Sequence, residues 1–398
     1  MQRTRVFLVF SLGFFISYIF RGVNLALAPD LIAALGLSAS DLGLLTSLFF
    51  VAFAGSQIPL GMLLDRFGPR RVEAALLLVA AAGSVLSALA TDPATLMAGR
   101  LLVGIGVSAC LMGALKALLL WFPVDRLPVV NGGLFALGGL GAVAAAAPVE
   151  WALTVTDWRG VFLGMAAATV ATAVLLMALV PERQGNQPDQ GIRAQLAGLA
   201  RILRDPFFWR LAPPTMVQQG TFLAVQGLWA GPYLMDVEGL DRQAAANTVS
   251  LVGLAMAAGF GLTGTAARAL SLRGVPLAMT SAATMAGFLV MQVVILSGLP
   301  LPLWLSWALY GFFGASGVIS YATVTAQFPP HLSGRANTAM TLTMFGWAFL
   351  TQLGIGAVLD AGTAAGYAAA DLHRGVWAVL AAILAATLLP LFAVARRA

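Results

Sequence analysis

The chain is expected to fold as an all-α integral membrane protein, with twelve transmembrane helices in two six-helix halves. Three observations carry that expectation. Of its 398 residues 60% are apolar and only 10% charged, with a mean hydropathy of +0.90; a soluble domain carries about a quarter charged residues. Uncharged or nearly uncharged stretches recur at the length, about 20 residues, that a helix needs to cross the hydrocarbon core. One long polar connection, Pro181 to Pro206, divides these stretches into two sets of six. The net charge of +6 and a pI near 10.2 would suggest nucleic acid in a soluble protein. Here the basic residues sit in loops, where membrane topology requires them, so no nucleic-acid role is expected.

Taken in order, the spans fall near residues 6–28, 42–64, 72–91, 95–121, 129–153 and 160–180, then 209–235, 245–268, 275–298, 302–328, 336–360 and 375–395. Arg3 and Arg5 precede the first apolar run and no A-x-A cleavage site follows, so it reads as a retained helix. Before the second span, Ser38-Ala-Ser-Asp41 has the form of a capping box with Asp in place of Glu. Between the second and third lies a dense charged turn, Gly61-Met-Leu-Leu-Asp65-Arg66-Phe-Gly68-Pro-Arg70-Arg71, with Gly68 a natural helix stop. Pro29, Pro123, Pro181 and Pro300 mark segment ends, where a missing N–H does least harm. Pro148 and Pro213-Pro214 fall inside spans and predict bends. The runs Gly138-Gly139-Leu-Gly141 and Gly354-Ile-Gly356 suit close helix packing in lipid. In the connection, apolar Leu196, Leu199, Ala200 and Leu203 repeat at helical period, which predicts a short amphipathic helix on the membrane surface. The domain expectation is therefore an N-terminal bundle over 1–180, a linker over 181–208 and a C-terminal bundle over 209–398.

The basic residues orient this scheme. Arg3, Arg5, Arg66, Arg70, Arg71, Arg126, Arg183, Arg193, Arg201, Arg204, Arg210, Arg268, Arg273, Arg335, Arg396 and Arg397 fall on one side. Arg159, Arg242 and Arg374 fall on the other, and Arg21, Arg100 and Lys116 lie within spans. By the positive-inside rule the crowded side is cytoplasmic and holds both termini. A multi-pass protein of a bacterial inner membrane, monomeric in the lipid bilayer, is the expected setting.

The charged turn carries more than topology. It resembles the G-x-L-x-D-R-x-G-R-R loop of the major facilitator superfamily of secondary transporters. Gly61, Leu63, Asp65, Arg66, Gly68, Arg70 and Arg71 all match, with Pro69 at a variable position. Arg100-Leu-Leu-Val-Gly104-Ile-Gly106 resembles that family's R-x-x-x-G-x-G pattern, and Pro181-Glu182-Arg183 a shortened form of its P-E-x-x-R ending. The resemblance implies two pseudo-symmetric six-helix bundles and a solute site near the midplane, lined by the first, fourth, seventh and tenth spans. It further implies that Gly61, Asp65, Arg66, Gly68, Arg70, Arg71 and Arg100 serve gating or bracing. In the second half the corresponding loop carries Ala267 before Arg268, so the charge is asymmetric between halves. The fifth span lacks the G-x-x-x-G-P-x-x-G run of proton-coupled drug exporters, which favours uptake or exchange.

Arg21 is the most informative single residue. A guanidinium about 16 residues into the first span, roughly 20 Å along it, needs protein, water or a partner around it. Phe14, Tyr18 and Arg21 share a helical face with Asn24, and a planar guanidinium fork suits a carboxylate or phosphate. Tyr18, Arg21, Pro29 and Leu31 also keep the spacing of the first helix of organophosphate/phosphate exchangers, in which the Arg binds the anion. Those proteins carry a second Arg in the seventh helix, where this chain has Gln218, Gln219, Gln226 and Trp229. Tyr18, Arg21, Asn24, Lys116, Gln219, Gln226, Trp229, Tyr310 and Tyr321 are the candidate solute contacts, with Ser316 and Ser320 on the same tenth span. Arg100 and Lys116 are 16 residues apart, about 160° around a straight helix, so they do not share one wall. Glu150 is the candidate proton carrier, Glu73 lies near an inner helix end, and His331 and His373 are placed in loops.

Enzyme chemistry fails on inventory. The chain has no Gly-Lys-Ser/Thr phosphate loop, and two histidines with the single Cys110 build no usual metal site, so neither cofactor nor metal is expected. The expected function is alternating-access transport of a small, anionic organic or inorganic solute, with a coupling proton or counter-anion. The alternatives are a proton-coupled exporter of amphipathic drug-like compounds and, outside transport, a membrane receptor or scaffold.

Overall fold

The computed structural model describes residues 2–123, 126–183, 192–315, 317, 319, 321, 324, 328 and 332–395. All twelve expected spans are helical where described. In the first half they are Gln2–Leu35, Ala39–Phe67, Pro69–Ala88, a fourth in two pieces (Pro93–Val107 and Ala109–Trp121), a fifth in two pieces (Leu127–Ala144 and Ala147–Ala152) and Trp158–Leu179. In the second they are Phe208–Asp236, Arg242–Leu272, Leu277–Ser297, a tenth described as helix over Leu303–Gly314, Ser333–Ala364 and Ala369–Ala395. Among the described residues ten helices are long and apolar enough to cross a membrane. The seventh span falls outside that set because a π-turn over Val225–Trp229 interrupts it. Single π-turns inside α-helices concentrate at functional sites.

Local chemistry explains the boundaries. The Ser38 hydroxyl accepts from the Asp41 amide and the Asp41 carboxylate accepts from the Ser38 amide, each at 3.0 Å, closing the capping box. Gly68 takes φ +79° between the second and third helices, a conformation L side chains rarely adopt, and Pro69 starts the next helix. Pro148 bends the fifth span, whose two pieces meet at Ala145 and Ala146. Two expectations need correcting. Pro29 does not end the first helix, which runs on to Leu35. His373 lies inside the last helix, 1% exposed, rather than in a loop; His331, Ser316 and Ser320 are outside the described residues. Pro213 and Pro214 lie inside the helix Phe208–Ala224, and the π-turn begins about three turns after Pro214. Ile192–Leu203 is the short helix expected in the connection.

Small residues set the packing distances. Side chains at Gly83, Gly99 and Gly106 would collide with the facing helix, so the third and fourth spans touch backbone to backbone. Gly138 and Gly141 seat Phe14 and the Phe15 carbonyl of the first span, Gly139 seats Ala257, and Gly356 meets the Ala39 carbonyl. The halves meet along three seams: second span against eleventh, fifth against eighth, and first against the seventh span's π-turn. Between these seams lies an internal cavity.

Candidate functional site

A cavity of about 280 Å³ lies between the halves. First-span Phe14, Tyr18 and Arg21 face eleventh-span Asn337, Thr341 and Phe345 across it. Phe53, Gln57, Phe135, Gln219, Phe222, Phe260 and several methionines complete its walls. It extends from Arg21 toward the end of the molecule that carries Asp65, where Gln57, Met112, Leu115 and Asn337 line it.

Arg21 contributes the cationic side chain of this lining, and among the described residues no Asp or Glu is part of it. Its guanidinium carbon lies 4.5 Å from the Tyr18 ring centroid, 5.7 Å from Phe53 and 5.9 Å from Phe345 of the other half. Three aromatic faces hold the cation in place, while its buried Nε has no hydrogen-bond partner among the described residues. A fixed, incompletely bonded guanidinium in an apolar cavity has donors left to offer to an acceptor such as an anion's oxygens.

The structure gathers Tyr18, Arg21, Gln219 and Tyr321 in the cavity lining. Gln226 meets Arg21 in a separate small pocket of about 10 Å³ behind it, with Gly22 and Gly227. The remaining candidates lie elsewhere. Asn24 is fully buried and donates to the Thr46 hydroxyl at 3.0 Å. Trp229 stacks toward His373, and Tyr310 packs among Phe222, Phe288, Trp307 and Trp377. Lys116 is spent on an ion pair with Asp65. Gln57, Asn337 and Thr341 also line the cavity, from the second and eleventh spans rather than the first, fourth, seventh and tenth expected to form it. Their signal was present: a Gln in a charge-free span, and an Asn–Thr pair at i,i+4.

At the Asp65 end the sequence motifs find one another. Asp65 pairs with Lys116, Arg71 reaches Glu182 at 3.1 Å, and Arg70 reaches it at 3.8 Å while donating to the Met177 carbonyl. Arg66 lies over the Phe67 ring and Arg183 over Trp121. These contacts stay within the first half and the start of the connection that follows it. Arg100, fully buried, donates to the Phe20 carbonyl at 3.1 Å and lies 5.3 Å from the Phe49 ring, bracing first, second and fourth spans together.

At the opposite end ionic contacts cross between halves. Arg242 pairs with both Asp30 and Glu150 and donates to the Ala26 carbonyl at 2.8 Å. Glu150, the candidate proton carrier, is thus tied to a cation in this conformation. Asp360 accepts from the Ala39 and Ser40 amides at 3.0 and 2.8 Å, capping the second helix from the other half. The molecule is latched at this end and hollow toward the other.

Comparison with known proteins places these features. A family model described as Major Facilitator Superfamily matches residues 10–352. The chain is 32% identical over 168 residues to a probable sulfoacetate transporter of Cupriavidus necator, covering 42% of this chain and 39% of that protein. It is 26% identical over 250 residues to a hexuronate transporter of Escherichia coli K12, covering 58% and 57%. The alignments therefore span about two fifths to three fifths of these relatives. Among solved structures, a bacterial homologue of the human lysosomal transporter Spinster, inward-facing and unoccupied, superposes with a TM-score of 0.77 at 18% identity, covering 99% of this chain and 97% of that one.

Proposed function

The chain belongs to the Major Facilitator Superfamily, and we propose that the solute it carries is a small organic anion whose carboxylate or sulfonate binds Arg21. It is a membrane transporter and not an enzyme. The observation that carries the anion reading is the Arg21 guanidinium itself: held by three aromatic rings, with a buried Nε that has no partner among the described residues, in a cavity whose described lining includes no carboxylate. An anion would have its charge met by a fixed donor fork. A cation would meet a like charge at the cavity's inner end. The names of several relatives, transporters of sulfoacetate, hexuronate and L-galactonate, describe cargoes of the same chemistry.

The remaining lining suits the rest of such a solute. Gln57, Gln219, Asn337 and Thr341 offer hydrogen-bonding groups for hydroxyls, and the phenylalanines and methionines cover carbon. Those same apolar walls support the second reading, export of an amphipathic compound. The direction we favour is uptake or exchange, in a bacterial inner membrane with both termini cytoplasmic, the cavity then facing the cytoplasm. The bundles 1–180 and 209–398 rock about the seams to expose it alternately. Thermal shift of the purified transporter tests the binding step. Sulfoacetate, D-galacturonate or L-galactonate should raise the melting temperature of the native chain and leave Arg21→Ala unmoved. Stabilisation of Arg21→Ala equal to the native chain's would remove Arg21 from the site.

A further inference from the structure

We propose that Glu73 is a proton-binding site that couples transport to a proton. It lies near the start of the third helix and is fully buried, and neither carboxyl oxygen has a hydrogen-bond partner among the described residues. Its surroundings are built for it. The position of a Cβ on Gly13 of the first span is 2.5 Å from Oε1, and that of a Cβ on Gly113 of the fourth is 2.5 Å from Oε2. Two glycines thus open a slot that any side chain would fill with carbon. Helical glycine amides bond along their own helices, so the slot supplies room and no donors. An ionised carboxylate in such a place is unpaired and costly, whereas the neutral acid fits.

Among the described residues no cation pairs with it. On its own helix Arg70 and Arg71 are held by Glu182. On the second span Asp65 holds Lys116 of the fourth, and Arg66 lies over Phe67. Also on the fourth, Arg100 is bound to the Phe20 carbonyl, and Cys110, fully buried, borders the same slot. Arg159 of the sixth span bonds Ala90 at the far end, and Tyr18 and Arg21 of the first face the cavity. Arg3 and Arg5, near the start of the first span, are exposed.

The position suits coupling. Gly13 adjoins Phe14 and Gly113 adjoins Met112, both cavity residues, so Glu73 sits one residue behind the wall. Lys116 is one helical turn beyond Gly113. When Glu73 releases its proton to water, the carboxylate left behind competes with Asp65 for that ammonium and loosens the pair joining the second and fourth spans. Glu150 cannot serve in this conformation, being bound to Arg242.

The coupling role rests on the transport reading above; the proton site does not, and the test separates them. Infrared spectra of the full-length purified protein are titrated with pH, for the native chain and for Glu73→Gln, which keeps the shape of the neutral acid. The native chain should show a protonated-carboxyl stretch that the variant lacks; the same band in folded Glu73→Gln would overturn the site. In proteoliposomes Glu73→Gln should lose accumulation of D-galacturonate or L-galactonate driven by a pH gradient, yet retain counterflow exchange. Gradient-driven accumulation at the native level in the variant would overturn the coupling. If the native chain moves neither anion, the transport reading of this cargo fails, and the infrared result still decides Glu73.

Discussion

The anion role proposed for Arg21 rests on the geometry its neighbours impose. Tyr18, one turn earlier, and Phe53 and Phe345 from the second and eleventh spans surround the guanidinium without taking its hydrogen bonds. A lysine there keeps the charge and loses the planar fork. We expect Arg21→Lys to weaken anion binding by about 1.5–3 kcal/mol, the worth of a hydrogen bond to a charged group, or roughly ten- to a hundredfold. Calorimetric titration of an anion that stabilises the native chain checks this; unchanged affinity would show that charge alone suffices. This residue was legible in the sequence, because a charge deep in an apolar span demands a reason. The positions of Lys116 and Glu73 were not legible. Whether Lys116 faces a cavity or finds Asp65, and whether Glu73 snorkels or enters a glycine slot, depends on helices far apart in the chain.

At the scale of the element, lipid removes the hydrophobic drive between helices, so contact depends on how closely backbones approach. Gly106 lies against Ala80 of the third span, while Gly164 on the sixth has nothing facing it within 4 Å. Gly106→Ala should therefore destabilise by about 1–3 kcal/mol, the usual cost of overpacking. Gly164→Ala should be neutral or slightly stabilising, since alanine is the better helix former. Melting temperatures of the two purified variants measure the contrast, and equal values would contradict the packing account. The spans, the capping box at Ser38 and the Gly68 stop were all readable locally. The π-turn at Val225–Trp229 was not, because nothing in Val-Gln-Gly-Leu-Trp sets it apart from ordinary helix; the first span that packs against it is far away in the chain.

For the whole molecule, the latch at the Arg242 end and the opening toward Asp65 are two faces of one equilibrium. Arg242 and Asp30 are each about a third exposed, so their pairing contributes modestly and a substitution should tilt the balance rather than unfold the protein. With Cys110 replaced by alanine and a cysteine at Met256 in the cavity wall, a membrane-impermeant maleimide should label from the Asp65 side. Adding Arg242→Ala with Asp360→Ala should increase labelling from the other side. Labelling with unchanged sidedness would show that the latch does not bias the state. The charged turn, the Arg100 motif and Pro181-Glu182-Arg183 made this family legible in the sequence. Which ends are joined in a given conformation was not, because the same residues must serve every state. The central claim is anion transport through Arg21, and uptake into proteoliposomes tests it most directly. Sulfoacetate, D-galacturonate, D-glucuronate and L-galactonate would be offered to the native chain and to folded Arg21→Ala. The account predicts uptake of at least one of them by the native chain and none by the variant. Uptake that survives Arg21→Ala, or movement of lipophilic cations with no anion uptake at all, would contradict it.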